Sequence, residues 1–126
     1  MSTHAHGIHH SIDYVEISVA DLAAAQEFYG AAFGWTFVAY GPGYAGIQTP
    51  AESGRDEAGG LSLAESTSAA RGGPLVLLYS EDLDATLTAV RAAGGTVVVD
   101  PFEFPGGRRF QFLDPSGNEL GVWSTS

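Results

Sequence analysis

An internal repeat is the feature that most constrains the fold of this 126-residue chain. Two Asp-Leu pairs, at 21–22 and 82–83, each open an Ala-rich segment that ends in glycine, and 82 − 21 = 61. The closing glycines, Gly34 and Gly95, keep the same spacing, since 95 − 34 = 61. Further pairs match in this frame: Val15 with Val76, Ala24 with Ala85, Ala32 with Ala93, Gly46 with Gly107, and Gly60 with Gly121. We interpret the chain as two copies of one supersecondary unit, which usually pair to cover each other's apolar faces.

Each copy has the pattern of a strand, a helix and three further strands. The first strand, over 14–19, alternates apolar and polar side chains, as expected when one face is buried. Asp21 and Asp82 suit helix N-caps, and Gly34 and Gly95 suit the C-terminal stops. After the helices we predict strands at 35–40, 44–49, 60–65, 96–100, 108–113 and 119–123, turns at 41–43 and 114–118, a polar loop at 50–59 and a linker at 66–74.

Composition favours one compact domain in a reducing cell interior. A mass of 13.1 kDa suits a single domain, and the chain has no cysteine for a disulfide or a thiolate metal site. We expect a flexible tail over 1–11 and one domain over 12–126, with modules at about 12–65 and 74–124.

Charge and hydropathy bear on partners and location. Fifteen acidic against five basic residues give a net charge of −10, which repels phosphate backbones and anionic lipids. We therefore expect neither nucleic acid nor a membrane as a partner. The N-terminus lacks the pattern of a signal peptide, and no apolar run reaches the length of a membrane helix. We expect a cytoplasmic protein.

Two longer stretches complete the pattern: VADLAAAQEFYGAAFGW follows the first strand, and FLDPSGNELGVW lies near the end. Together with the paired units, they resemble the vicinal oxygen chelate superfamily of glyoxalases, bleomycin-resistance proteins and extradiol dioxygenases, over residues 12–123. The resemblance implies an α+β fold in which two tandem βαβββ modules form curved sheets around a central cleft. It also implies a homodimer, since short members commonly dimerise. The same fold carries lyases, isomerases, dioxygenases and plain binding proteins, so function must be argued from the site.

Metal-dependent members of that superfamily take their ligands from the first and last strands of each unit. By the resemblance, these positions fall at Tyr14, Gly60, Leu75 and Gly121, and both 75 − 14 and 121 − 60 equal 61. Glycine and leucine offer no side-chain ligand, whereas a divalent ion typically requires at least three donors from the protein. We therefore expect no metal and no other cofactor.

A shifted metal site is the alternative. It would combine Glu16, Glu119 and one of four N-terminal histidines, which are His4, His6, His9 and His10. The histidines also have a simpler interpretation, as a mobile terminus or added sequence that binds nickel or zinc adventitiously.

The predicted cleft is lined by the strand faces that point away from the helices. Strand alternation places these side chains there: Tyr14, Glu16, Ser18, Ser62, Leu75, Leu77, Tyr79, Glu119 and Trp123. This lining is aromatic and apolar with few charges, which suits a planar or partly apolar small molecule. Arg108 or Arg109 would hold a ligand carboxylate at the pocket mouth, although one of two adjacent strand residues must point away. Alternatively the lining fills the cleft itself or faces a second subunit, and the arginines pair with surface acids.

Two classes of function remain. The first is a metal-free binding protein, resembling the bleomycin-resistance branch, that holds an aromatic or cationic small molecule. The second is an enzyme resembling the glyoxalases or dioxygenases, with a rearranged metal site or with Glu16 as acid or base. A regulatory module whose cleft is only a dimer surface is a third possibility. Metal content discriminates most cheaply between the first two.

Overall fold

The computed structural model describes residues 8–10, 12, 14–50, 57–64 and 74–126. The first module comprises β1 (Val15–Val19), α1 (Leu22–Phe33), β2 (Thr36–Ala39), β3 (Tyr44–Gln48) and β4 (Gly59–Leu63). The second module comprises β5 (Val76–Tyr79), α2 (Leu83–Ala92), β6 (Thr96–Phe104), β7 (Gly107–Leu113) and β8 (Glu119–Ser124). Most of the predicted tail, of the 50–59 loop and of the 66–74 linker lies outside the described residues.

Each module forms one four-stranded mixed sheet, and the two sheets share one topology. Their strand orders are β1-β4-β3-β2 and β5-β8-β7-β6. In both sheets the first and last strands of the module pair in parallel, and the other neighbours pair antiparallel. The helix lies in the crossover that a parallel connection requires. The predicted α+β fold of two tandem βαβββ modules is confirmed.

Matched aspartates begin the two helices. Asp21 accepts a hydrogen bond from the backbone N–H of Ala24 at 3.0 Å, and Asp82 accepts one from the N–H of Ala85 at 3.1 Å. Each bond satisfies one of the N–H groups that a first helical turn leaves without a partner. The helices have 12 and 10 residues, and no helix in the described ranges is long and apolar enough to cross a membrane. Both predicted N-caps are confirmed.

The two helices end differently, which corrects one prediction. Gly34 follows α1 in the left-handed region, with φ 75°. After α2 the left-handed glycine is Gly94, with φ 104°, one residue before the predicted stop at Gly95. Gly95 serves close packing instead, since a Cβ there would lie 2.7 Å from Cγ1 of Val90 and 3.0 Å from the ring of Phe28. Glycines that match in the repeat therefore have different structural roles.

One apolar core joins the helices to the helix-facing sides of both sheets. Its buried side chains come from both modules and include Ile17, Val19, Phe28, Tyr29, Trp35, Ile47, Leu61, Leu83, Val90, Phe110, Phe112, Leu120 and Val122. The ring centroid of Phe112 lies 5.7 Å from that of Phe33 in the other module. Val15, Val76 and Leu78 pack against this cluster. The side-chain alternation predicted for β1 and β5 is therefore confirmed, and burial of these faces drives the fold.

The predicted turn at 114–118 is present and is closed by its own aspartate. The N–H of Gly117 donates a hydrogen bond to the carbonyl of Asp114 at 2.9 Å. Oδ1 of Asp114 accepts from the N–H groups of Ser116 and Asn118, at 2.8 and 2.9 Å. An aspartate that bonds to the backbone two residues further on is typical of such turns.

The same turn links the two modules. Asp114 is buried, and its Oδ2 accepts a hydrogen bond from the hydroxyl of Tyr29 on α1 at 2.8 Å. Nδ2 of Asn118 donates to the backbone carbonyl of Ser18 on β1 at 2.9 Å. Burial, followed by the adjacent charge of Asp114, raises the pKa of Tyr29 well above its usual value. The turn therefore fixes β1 and α1 against the second module.

β6 extends further than predicted, to Phe104 rather than residue 100. It is an edge strand, and its pairing with β7 shifts register between Val97 and Val99 and again between Val99 and Phe102. Pro101 falls in the second irregular stretch, where a residue without an N–H is tolerated. The extension brings Phe102 and Phe104 alongside β7.

Candidate functional site

The second sheet carries a row of large side chains on its outward face, the side that points away from the helices. The row crosses all four strands, because Tyr79 pairs with Trp123, Trp123 with Arg109, and Arg109 with Phe102. Register partners point to the same side of a sheet, and the core residues occupy the alternate positions. We call these four residues the aromatic row. Tyr79 is 55% exposed and Phe102 is 38% exposed, so the row is open to a ligand.

Ring contacts hold the aromatic row together. Tyr79 and Trp123 meet edge to face with centroids 5.0 Å apart, and Phe104 contacts Trp123 in the same way at 6.2 Å. Cζ of Arg109 lies 5.2 Å from the ring centre of Phe102 and 5.8 Å from that of Phe104. Such ring pairs and cation-π contacts each contribute about 0.5–1.5 kcal/mol. The row is therefore a preformed aromatic surface with one cation.

A polar chain runs beside the aromatic row. Nε2 of Gln111 donates to Oε2 of Glu119 at 2.7 Å, and Nη2 of Arg109 donates to Oε1 of Gln111 at 3.4 Å. Nε of Arg109 is buried and has no acceptor among the described residues. Among the described residues, the guanidinium of Arg109 therefore makes one long hydrogen bond through Nη2 and none through Nε.

Arg108 points to the opposite side of β7 from Arg109, which corrects its predicted place in the cleft. Its Nη2 lies 3.4 Å from Oδ2 of Asp84 on α2, and its Nε donates to the carbonyl of Ser126 at 3.3 Å. Adjacent strand residues alternate in direction, and Phe110, two residues on, lies in the core. Because the Asp84 side chain is 75% exposed, this ion pair contributes little to stability. The arginine of the outward face is Arg109.

The outward face of the first sheet carries a pair of tyrosines. The hydroxyls of Tyr14 and Tyr44 lie 2.8 Å apart. Burial, followed by hydrogen bonds to Tyr14 and Glu16, raises the pKa of Tyr44 above its usual value. Glu16 is exposed and pairs in register with Gly60 of β4. We call Tyr14, Tyr44 and Glu16 the tyrosine cluster; it places two phenols and a carboxylate on one surface.

A third tyrosine and a second carboxylate meet beside the same sheet. The hydroxyl of Tyr40 donates a hydrogen bond to Oε1 of Glu57, which is 2% exposed. That bond, followed by burial, raises the pKa of Tyr40 to about 12. The carboxylate of Glu57 occupies the space that a side chain at Gly46 would fill, since a Cβ there would lie 2.7 Å from the carboxyl carbon of Glu57. This pair was not predicted, because Glu57 falls in the polar loop at 50–59, where no periodicity indicates the direction of a side chain.

Neighbouring side chains fill the positions that the resemblance assigns to metal ligands. A Cβ at Gly60 would lie 2.1 Å from the hydroxyl oxygen of Tyr44, and a Cβ at Gly121 would lie 2.5 Å from Cδ2 of Leu77. Tyr14, a third of these positions, shares a hydrogen bond with Tyr44. The space beside each glycine is thus taken by a phenol or a leucine.

The shifted metal site suggested by the sequence is not assembled in the described part of the chain. Glu16 lies on the first sheet and Glu119 on the second. Within the ranges that the structure describes, no three histidine, aspartate or glutamate side chains come close enough to hold an ion. His4 and His6 lie outside those ranges.

The other predicted site residues lie on two outward faces rather than in one group. Ser18 and Ser62 are register partners on the first sheet, where Ser62 also pairs with Tyr44. Leu75 and Leu77 belong to the β5 side of the second sheet, where Leu77 pairs with Gly121. The structure therefore presents two candidate surfaces, one on each sheet.

An apolar cavity lies at the junction of the two modules, on the helix side of β1 and β5. It has a volume of about 100 Å³ and is lined by Val15, Ile17, Trp35, Ile47, Val76, Leu78 and Leu120, among others. Trp35, Thr49 and Leu78 also line a wider groove of about 560 Å³ that reaches Tyr79 and Glu81. The cavity walls carry no charged side chain, so its chemistry differs from that of the aromatic row.

The chain belongs to the Glyoxalase/Bleomycin resistance protein/Dioxygenase superfamily, whose family model matches residues 11–122. The resemblance inferred from the sequence is thereby confirmed. The fold agrees with this assignment. A glyoxalase/bleomycin resistance protein/dioxygenase family enzyme from Burkholderia phytofirmans PsJN superposes with a TM-score of 0.72 at 20% identity, covering 90% of this chain and 97% of that one.

Two Streptomyces proteins are more similar to this chain in sequence than the Burkholderia enzyme is. The anthracycline biosynthesis protein DnrV from Streptomyces peucetius is 32% identical over 117 residues, which are 92% of this chain and 42% of DnrV. The chain therefore spans less than half the length of that relative. TnmS3, an antibiotic binding protein from Streptomyces sp. CB03234, is 26% identical and superposes with a TM-score of 0.66, covering 97% of this chain and 100% of TnmS3.

Proposed function

We propose that this chain is a binding protein that holds a planar aromatic small molecule on the outward face of its second sheet, without a metal ion. The observation that carries the proposal is the aromatic row, in which Tyr79 and Trp123 meet edge to face beside Arg109. Aromatic side chains supply a large contact area at a low cost in conformational entropy, because two χ angles fix each ring. Exposed apolar surface of this kind generally marks a binding site.

The filled ligand positions favour binding over metal-dependent chemistry. Tyr44 takes the space beside Gly60, and Leu77 takes the space beside Gly121. A divalent ion typically requires three donors from the protein, and Tyr14 is the one side-chain donor among the four positions assigned by the resemblance. The proposed function therefore contains no metal-dependent step.

The relatives support a binding function. TnmS3 is an antibiotic binding protein, and it matches 97% of this chain. DnrV is named for anthracycline biosynthesis, but this chain spans only 42% of it. From TnmS3 we carry over to this chain only the general activity, the binding of a small molecule, and not the identity of the ligand.

We also propose a homodimer. On the second sheet, Leu77, Tyr79 and Phe102 are 39%, 55% and 38% exposed, and on the first sheet Tyr40 is 38% exposed. Monomers rarely leave a contiguous group of large apolar side chains in water, and an open edge strand such as β5 is a liability unless it is covered. A second copy would cover both features and enclose a ligand between chains.

Isothermal titration calorimetry with 2-naphthamide, a planar and uncharged aromatic probe, tests the binding function. We expect saturable binding by the wild type and a loss of about tenfold in Trp123→Ala, because one stacking surface is removed. Trp123→Phe retains a ring and should keep most of the affinity. Binding that is unchanged in Trp123→Ala would contradict the proposed site, and absence of binding to the wild type would contradict the proposed function.

An acid–base enzyme is the second candidate, and the tyrosine cluster favours it. The hydroxyls of Tyr14 and Tyr44 share a hydrogen bond, and Glu16 lies on the same face of the first sheet as Tyr14, which places a carboxylate and two phenols on one surface. Such groups transfer protons when a substrate lies within hydrogen-bond reach. Deuterium exchange into hydroxyacetone, followed by NMR, tests this function. Catalysed exchange that Glu16→Gln abolishes and Ser18→Ala preserves would establish it, and exchange at the uncatalysed rate in the wild type would eliminate it for this class of substrate.

A further inference from the structure

Arg109 is the charged member of the aromatic row. Its neighbour Arg108 forms an ion pair with Asp84, whereas the structure places no carboxylate within ion-pair distance of Arg109 in the part of the chain it describes. The Arg109 guanidinium lies over the rings of Phe102 and Phe104. An aromatic environment excludes water, and exclusion of water strengthens the attraction of a cation for an opposite charge.

The residues around Arg109 satisfy only part of its hydrogen-bonding capacity. Gln111 donates its amide to Glu119 at 2.7 Å, which turns the Gln111 oxygen toward Arg109 and engages the carboxylate of Glu119 elsewhere. The resulting bond from Nη2 of Arg109 is long, at 3.4 Å, and Nε is buried without an acceptor among the described residues. A buried donor without an acceptor is costly and rare in folded proteins. The guanidinium of Arg109 therefore carries a positive charge that its neighbours only partly satisfy.

We propose that Arg109 makes this surface selective for planar aromatic acids. The inference rests on the proposed function and names the chemical class of its ligand. The ring of such a ligand stacks on Tyr79 and Trp123, and its carboxylate meets the guanidinium of Arg109, the next residue along the same row. The planar guanidinium fork matches a carboxylate in shape and charge. Since the chain carries a net charge of −10, its overall field does not attract an anion, and the selectivity must arise locally.

The test compares two probes that share one ring system, 2-naphthoate and 2-naphthamide, by isothermal titration calorimetry. The wild type should bind the acid about tenfold or more tightly than the amide, because charge-assisted hydrogen bonds are roughly twice as strong as neutral ones. Arg109→Gln should lose this preference and bind the amide within about threefold of the wild type, since the stacking rings remain. Arg109→Lys keeps the charge without the fork and should keep part of the preference.

Arg108→Gln is the matched control, because it removes the same charge from the adjacent residue on the other side of the strand. It should retain the full preference for 2-naphthoate. If the wild type binds both probes equally and Arg109→Gln changes neither affinity, aromatic binding stands and selection by Arg109 is overturned. Equal loss of preference in Arg108→Gln and Arg109→Gln would also overturn it, since net charge would then be the cause. If the wild type binds neither probe, the proposed function itself fails.

Discussion

The hydroxyl of Tyr44 lies where a side chain at Gly60 would begin, since a Cβ on Gly60 would be 2.1 Å from that oxygen. Gly60 pairs with Glu16 on one side and with Gly46 on the other, so two adjacent glycines open a hollow in the first sheet. Tyr44 crosses this hollow to reach the hydroxyl of Tyr14. Because Gly60 has no side chain, it cannot provide a metal ligand, and the same missing side chain makes room for the contact between Tyr44 and Tyr14.

Alanine substitutions at two neighbouring glycines test this geometry. Gly60→Ala should lower the free energy of unfolding by about 1–3 kcal/mol, because Tyr44 must move and give up its bond to Tyr14. Gly59→Ala should cost more, since its Cβ would lie 1.9 Å from the backbone carbonyl oxygen of Val15, which cannot swing aside. Urea unfolding measures both. A Gly60→Ala variant as stable as the wild type would show that Tyr44 does not occupy this space.

The bond between Tyr29 and Asp114 predicts a pH-dependent loss of stability. Tyr29→Phe removes the donor to a buried carboxylate and should cost about 1–3 kcal/mol at neutral pH. The pKa of Tyr29 is raised above the unfolded value of about 10, so its contribution is fully present below pH 10 and is lost as the pH rises through the folded pKa. The stability of the wild type should therefore fall more steeply above pH 10 than that of Tyr29→Phe.

Urea unfolding at neutral and alkaline pH makes this comparison. Tyr79→Phe alters an exposed tyrosine and serves as the control, with little change in stability expected at neutral pH. A stability difference between the wild type and Tyr29→Phe that stays constant from neutral to strongly alkaline pH would be inconsistent with the bond.

Elements set by local patterns could be predicted from the sequence. Val15 and Ile17 alternate with Glu16, and the alternation alone indicated which face of β1 packs in the core. Asp21 and Asp82 cap their helices through contacts within one turn, so their roles did not depend on the rest of the fold.

Features that depend on tertiary packing could not be predicted in the same way. The direction of Tyr44 depends on the hollow at Gly60, and the burial of Glu57 depends on the space that the missing side chain of Gly46 leaves. Alternation showed that Arg108 and Arg109 diverge, but choosing between them required the pairing of Arg109 with Trp123. A separate pairing, between Phe102 on β6 and Arg109 on β7, brings Phe102 into the site.

Metal analysis separates binding from metal-dependent chemistry. Protein that lacks the first ten residues should contain no stoichiometric divalent ion, because Gly60, Leu75 and Gly121 provide no side-chain donors. Elemental analysis by mass spectrometry measures the metal content, and the full chain serves as the control for ions held by the N-terminal histidines. One tightly held ion per chain after removal of the tail would contradict the metal-free proposal, because none of the N-terminal histidines could then hold it.

Light scattering tests the proposed homodimer. We expect twice the chain mass of 13.1 kDa at micromolar concentration, because a second copy would cover the exposed side chains of Leu77 and Tyr79. Tyr79→Asp places a charge in this surface and should shift the equilibrium toward the monomer. A mass close to 13.1 kDa for the wild type would exclude a ligand site shared between chains under these conditions.

The indole N–H signals of the two tryptophans offer the most direct test of where an aromatic ligand binds. Trp123 belongs to the aromatic row, whereas Trp35 is buried and lines the apolar cavity between the modules. In ¹H–¹⁵N spectra recorded during a titration with 2-naphthoate, and assigned with Trp123→Phe, we expect the Trp123 signal to shift saturably while the Trp35 signal stays in place. A saturable shift of Trp35 alone would place the ligand between the modules and contradict binding on the outward face.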